Sequence, residues 1–284
     1  MRTIHTDSVM LNTKGPNQSF GNHLLHLFAC WKIAKQLDLE LSINCDSNLD
    51  ELFILDRFKS SGPYQGQLLY TEKYGGSVSE HFVKEIENND FFISLLQGKV
   101  GLPDSFHMKG WFWNSIFLPD ASFFQEIKII PNLLEEVVTD RDYLKDNNTI
   151  VIHYRGTDFK SHSIGWGDLR LKEEYYDKCL LDSLRHIDLK RIVIVSDEEP
   201  EFISNLGDKY GLEVFVEKND WKIDWLILLF SKNLICSNSS FCYTAGWYEK
   251  NLCYQPLKFL TRYIETDQSY PVFPYYNNKQ SKKL

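Results

Sequence analysis

The chain has 284 residues, 43% of them hydrophobic, which is enough for a buried core and excludes wholesale disorder. Its net charge of −8, from 31 basic against 39 acidic residues, excludes a broad nucleic-acid-binding surface of clustered Lys and Arg, but not a small basic pocket for one nucleotide. The length allows one large domain or two of ordinary size.

The first residues, MRTIHTDSVMLNTKGPNQ, hold no apolar run of signal-peptide length, and no segment offers about 18 continuous apolar residues, so neither export nor a membrane span is expected. The expected location is therefore cytoplasmic, with peripheral membrane association left open. Next, in GNHLLHLFACWKIAKQL, the spacing of Leu24, Leu27, Phe28, Trp31 and Ala34 predicts an amphipathic helix, and LELSIN (39–44) follows as a strand. Residues 60–110 show no clean period. The polar, turn-prone KDNN at 145–148 predicts a boundary, giving domains 1–147 and 148–284. Cysteines at 30, 45, 179, 236, 242 and 253 form no CxxC pair, which disfavours a zinc site and predicts reduced, mostly buried thiols.

The second half reads more clearly. TIVIHY (149–154) is a strand, and KEEYYDKCLLDSLRHI (172–187) carries Tyr175, Cys179, Leu180, Leu184 and Ile187 near helical spacing. RIVIVSD (191–197) is a second strand, followed by a proline-led helix closed at Gly211. LEVFVE (212–217) is a third strand, 222–233 an apolar helix, LIC (234–236) a short buried strand, and 237–250 the opening of another helix. Repeated alternation of strand and helix predicts an α/β fold with a doubly wound parallel sheet. The tail PYYNNKQSKKL reads as a frayed end.

In such sheets ligands bind beyond the carboxyl ends of the strands. Three polar clusters fall there: His153, Arg155 and Asp158; then Ser196 and Asp197; then Ser237, Asn238, Ser239 and Ser240. A guanidinium presents a fork of donors that matches a phosphate, and a serine-capped helix start favours an anion. The pattern predicts a diphosphate held without a metal; neither a Gly-rich Walker loop nor a DxD motif is present. Plainer readings exist for each residue. Arg155 and Asp158 would also make a loop ion pair, His153 an orienting histidine, Asp197 a helix cap, and the serines capping groups alone. Gly21 and Asn22 would simply start their helix, and Trp221 and Trp225 would be core.

Several of these segments resemble the alpha-1,2-fucosyltransferases and their relatives. HYRGTD (153–158) resembles that family's H-x-R-R-x-D motif, VSDEEPEF (195–202) its F-S-D-D segment, and DWLILLFSKNLICSNSSFCYTAGWYEKN (224–251) its D-L-x-L-M stretch ending in N-S-S-F-S-W-W-G-A-W. SFGNHLLHLFACWKIAKQL (19–37) is similar to its G-N-Q helix, and EEYYDKCL (173–180) to its Y-Y-x-x-A helix, all in the family's order. The resemblance implies a GT-B fold of two Rossmann-like domains and an inverting, metal-independent transferase using GDP-fucose as donor, with no cofactor and with a glycan or glycoconjugate as acceptor partner. It implies that Arg155 grips the β-phosphate, that His153 and Asp158 shape that loop, and that Asp197, beside Ser196, contacts the guanosine end. Asn238, Ser239 and Ser240 would hold phosphate, and Gly21 and Asn22 would face the cleft.

The departures are Gly156 for the second arginine, His23 for the glutamine of G-N-Q, and Tyr243, Thr244, Ala245 and Gly246 for the W-W-G-A run. They keep open a transferase of the same fold using another nucleotide sugar, or a non-catalytic glycan- or nucleotide-binding protein. The general base is not identified; His23, Asp168 and Glu173 are the candidates. Loop 159–171, with Trp166, is expected to serve the acceptor.

Overall fold

The computed structural model describes residues 3–7, 20–44, 48–59, 67–71, 104–109, 122–160, 170–198, 200–256 and 273–274, with 94, 97–99, 101–102 and 119–120 as isolated positions. The chain divides into two units, Met1–Ile130 and Pro131–Leu284.

In the first unit β1 (Thr3–Asp7) leads to α1 (Phe20–Leu37), β2 (Glu40–Asn44), β3 (Phe53–Ile54), β4 (Gln67–Thr71), β5 (Ser105–Lys109), α2 (Phe123–Glu126) and β6 (Lys128–Ile129). Its main sheet has the order β2-β1-β5-β4, parallel throughout, while β3 and β6 pair antiparallel. The helix expected from the spacing of Leu24 to Ala34 is α1, and it is buried well beyond a single stripe, with His23, His26 and Cys30 also inside. It stops because Asp38 takes the left-handed conformation (φ 51°) and the Leu39 N–H turns back to the Ala34 carbonyl at 2.8 Å. Phe123, fully buried, meets Phe28, Trp31, Phe53 and Phe124 edge-on, with centroids at 5.0, 5.4, 6.2 and 5.2 Å. One aromatic side chain thus ties α1, β3 and α2 into a single core.

The second unit contains α3 (Pro131–Thr139), β7 (Thr149–Tyr154), α4 (Thr157–Lys160), α5 (Glu173–His186), β8 (Arg191–Ser196), α6 (Glu201–Tyr210), β9 (Glu213–Glu217), α7 (Trp221–Phe230), β10 (Asn233–Ile235), α8 (Ser240–Tyr243), β11 (Leu252–Gln255) and β12 (Phe273–Pro274). The sheet order is β12-β11-β10-β7-β8-β9; five strands are parallel and β12 is antiparallel. All six residues of β7 are buried, as a central strand covered on both faces requires. Ile150, Ile152 and Tyr154 pack with Tyr175, Tyr176 and Leu180 of α5 and Ile203 and Leu206 of α6 in one apolar cluster. Period-two alternation turns Val151 and His153 to the other face.

The sequence boundary at 147/148 and the structural division at Ile130 differ by the segment 131–147. That segment packs with the second unit. Arg141 bonds Asn219 at 2.9 Å and pairs with Glu217 at 3.4 Å, and Asn233 donates to the Asn147 carbonyl at 2.9 Å. The helix expected over 222–233 ends at Phe230, where Ser231 leaves helical geometry and its hydroxyl donates to the Leu228 carbonyl at 2.9 Å. Buried Lys250 donates to the neighbouring Leu229 carbonyl, and burial lowers its ammonium pKa to about 8. The tail from 275 onward lies outside the described residues. Cys30, Cys179, Cys236, Cys242 and Cys253 are free and buried. Among the described residues no helix is long and apolar enough to cross a membrane.

Candidate functional site

In the second sheet the chain leaves β7 toward β8 and β9, then crosses back to lay β10 on the other side of β7. The order reverses between β7 and β10, and that reversal is where doubly wound sheets hold ligands. Two of the sequence-expected clusters flank this point, and the third sits one strand away.

His153, the fifth residue of β7, spans the reversal. Its Nδ1 lies 2.7 Å from the Ser237 hydroxyl beyond β10, and its ring lies 5.6 Å from that of Phe241. The ring is 4% exposed; burial, helped by the Arg155 charge, lowers its pKa to about 3 against a smaller opposing effect of Asp197. His153 is therefore neutral near pH 7 and works as a tie between two loops.

Just beyond it the backbone turns at Gly156 into the single-turn helix α4. Asp197, at the end of β8, buckles this turn: one carboxylate oxygen accepts the Gly156 N–H at 2.8 Å and the other the Thr157 hydroxyl at 2.6 Å. The second oxygen also faces Arg155 Nε at 3.5 Å. Burial pushes the Asp197 carboxyl up, but the hydrogen bonds from Thr157 and Gly156, with the Arg155 charge, outweigh it and leave the carboxyl below its ordinary range. Arg155 stays 29% exposed in a long ion pair of the kind that contributes about 0–1 kcal/mol. Its guanidinium carbon sits 6.0 Å from the Phe159 ring. Ser196 turns its hydroxyl inward to accept the Glu198 N–H at 3.1 Å.

Beyond β10, Ser237, Asn238 and Ser239 are buried and Ser240 is partly so. Ser239 caps α8, accepting the Phe241 N–H at 3.3 Å. The helix expected over 237–250 is here corrected to one turn. The Thr244 hydroxyl bonds back to the Phe241 carbonyl at 3.0 Å, and the Gly246 N–H is shared between the Cys242 and Tyr243 carbonyls. Gly246 sits tightly against β11: a Cβ there would lie 2.5 Å from Gln255 Nε2 and 3.1 Å from Cys253 Sγ, so a side chain would have to push both aside. The buried Trp225 N–H donates to the same Thr244 hydroxyl at 3.2 Å, so α7 braces the serine loop from behind.

The remaining expected residues stand apart from this rim. Gly21 and Asn22 lie in the first turn of α1, in the first unit. His23 is buried beside them; neither ring nitrogen has a hydrogen-bond partner among the described residues, and burial lowers its pKa to about 4. Asp158 lies within α4, its side chain outside the described set, as are Trp166 and Asp168. Glu173 is exposed in the first turn of α5.

One polar group went unread in the sequence. Asn219 donates to Glu217 at 3.0 Å and to Asp224 at 3.2 Å, and Tyr143 and Arg141 reinforce Glu217. Burial, with the nearby Glu217 and Asp220 charges, raises the Asp224 carboxyl to about 7, while Glu217 stays ionised. The signal available in sequence was a lone aspartate at the start of an otherwise apolar helix.

No protein-family model and no curated protein matches this sequence. The fold, however, is shared with solved structures. One is NodZ alpha-1,6-fucosyltransferase soaked with GDP-fucose, at TM-score 0.53 and 10% identity over 97% of this chain and 99% of that one. Another is the selenomethionine form of fucosyltransferase NodZ from Bradyrhizobium, at TM-score 0.50 and 12% identity over 89% and 94%. The α/β architecture is of the GT-B type, with the doubly wound parallel sheet in the C-terminal half.

Proposed function

We propose that this chain is an inverting glycosyltransferase that moves fucose from GDP-fucose to a hydroxyl of a glycan acceptor, without a metal. The observation that carries this reading is Arg155: a partly exposed guanidinium beside the reversal point of the second sheet, on a turn buckled by Asp197. The likeness to NodZ supports the fold. The α1,2 linkage rests on the HYRGTD and SNSSF resemblance alone.

In the reaction the acceptor oxygen forms a bond to the anomeric carbon as the bond from that carbon to the β-phosphate oxygen breaks. The electron pair leaves with GDP, and the acceptor proton passes to a base or to water. Positive charge develops on the sugar ring and negative charge on the leaving phosphate. Arg155 neutralises the latter, assisted by N–H groups of the Ser237–Ser240 loop. Such preorganised charge stabilisation is commonly the largest catalytic contribution, and losing one donor costs about 100- to 1000-fold in rate. Asp158 and His153 shape the turn, Ser196 and Asp197 hold its β8 side, and Gly21 and Asn22 contribute to donor binding.

Arg155→Lys keeps the charge and loses the fork, so kcat for transfer from labelled GDP-fucose is expected to fall by about 100-fold or more. Near-normal turnover would reject the assignment. Gly156, where the resembling family has a second arginine, favours a second reading in which another nucleotide sugar is the donor. Melting-temperature screens against GDP, UDP and dTDP sugars separate the two. GDP binding without transfer to any glycan would point to a non-catalytic protein.

A further inference from the structure

Two carboxylates follow β8, and the structure treats them differently. Both oxygens of Asp197 are engaged by protein groups, the Gly156 N–H, the Thr157 hydroxyl and Arg155. The next residue, Glu198, is half-buried, its backbone N–H held by Ser196, and its carboxylate has no hydrogen-bond or ion-pair partner among the described residues. The Glu198 side chain folds across Gly156 so closely that a Cβ at 156 would collide with its Oε1, Cδ and Cγ. Gly156 is thus the floor on which this carboxylate lies, beside the arginine of the turn.

The position has a chemical meaning. Counting outward from β7, the sheet runs first strand, second strand and third strand on one side, and the returning strands on the other. In the dinucleotide-binding form of the doubly wound sheet, an acidic side chain beyond the first βα turn accepts a hydrogen bond from a ribose hydroxyl while the pyrophosphate sits at that first turn. Glu198 stands at the end of the second strand and Arg155 at the end of the first. A carboxylate with no partner among the described residues is repulsive near a diphosphate unless it receives donors, and a vicinal diol supplies two.

We propose that Glu198 binds the ribose 2′- and 3′-hydroxyls of the nucleoside diphosphate, with Asp197 acting only on the protein side, as the residue that positions Arg155 and its turn. This deepens the donor reading above and rests on it. It makes the site selective for a ribonucleoside diphosphate over a deoxy or 2′-phosphorylated one, and it gives Gly156 a role other than that of a lost arginine.

The test is calorimetric titration of the full chain with GDP, 2′,3′-dideoxy-GDP and inorganic pyrophosphate. The wild type is expected to bind GDP about 10- to 100-fold more tightly than the dideoxy compound, the span of a charge-assisted hydrogen bond. Glu198→Gln should erase most of that difference. Gly156→Ala, which displaces the glutamate, should do the same. Glu198→Gln keeps the side-chain shape over Gly156 and removes no hydrogen bond or ion pair among the described residues, so its melting temperature is expected to stay within a few degrees of wild type. Equal binding of GDP and the dideoxy compound by wild type, or discrimination that survives Glu198→Gln, overturns the proposal and leaves the donor reading standing. A Glu198→Gln variant that gains equally for pyrophosphate and GDP shows repulsion alone and also overturns it. Failure of any nucleoside diphosphate to bind wild type sinks the donor reading, and this one with it.

Discussion

Asp197 carries two hydrogen bonds and an ion pair that hold the Gly156 N–H, the Thr157 hydroxyl and the Arg155 side chain in one frame. Its folded pKa lies below the ordinary 3.8, so its contribution to stability is present above that value and is lost as pH falls through the folded pKa. Asp197→Asn is therefore expected to lower the melting temperature at pH 7 by a few degrees, for a loss of about 1–2 kcal/mol. The gap to wild type should close at the acid end of the series, where the wild-type carboxyl is itself protonated. A gap that stays constant with pH would assign the loss to shape and not to charge. The sequence placed Asp197 at the rim because strand ends can be read from a short apolar run. It could not show which way the carboxylate turns, since its partners lie 40 and 41 positions away and the choice depends on side-chain direction across two strands. The same limit hid the contact of Glu198 with Gly156 and the tie between His153 and Ser237.

At the scale of elements, α8 changes how an anion would be held. A longer helix over 240–250 would bring a macrodipole to the rim, whereas the single turn Ser240–Tyr243 brings only individual N–H groups. The loop must then be rigid to be useful, and Thr244 makes it so by accepting from Trp225 and donating to the Phe241 carbonyl. Thr244→Val keeps the shape and removes both hydrogen bonds, an expected loss of about 1–3 kcal/mol. Differential scanning calorimetry should show a lower melting temperature, with a raised KM for the donor; an unchanged melting temperature would mean that the loop is braced by other contacts. Elements of the second unit were legible because each is a local apolar pattern with its own stop signal, such as Gly211 in the left-handed conformation after α6 (φ 67°). The length of α8 was not, because it ends on a threonine hydroxyl and on a glycine pressed against β11. In the first unit β4 and β5 went unread. Theirs are five-residue strands whose pairing joins segments as distant as Thr3 and Ser105, a tertiary choice that leaves little local trace.

For the whole molecule, every residue that the structure gathers at the rim belongs to the unit Pro131–Leu284. A ligand that binds only the folded state stabilises it by about 2.7 kcal/mol at a hundredfold excess over Kd, and it does so by suppressing the openings of the segments it touches. Hydrogen exchange with and without GDP therefore locates the site independently of any turnover assay. Protection is expected to concentrate in three separate stretches: the end of β7 through α4, residues 196–198, and the loop from Cys236 to Phe241. These stretches are far apart in sequence and share only the carboxyl rim of one sheet, so their joint protection would be hard to produce by nonspecific binding to an acidic chain of net charge −8. Arg155→Ala should abolish protection in all three, because the diphosphate is what the three loops hold in common. Protection confined to the first unit, or unchanged in the Arg155 variant, would move the nucleotide away from this rim and remove the physical basis for assigning glycosyl transfer to it.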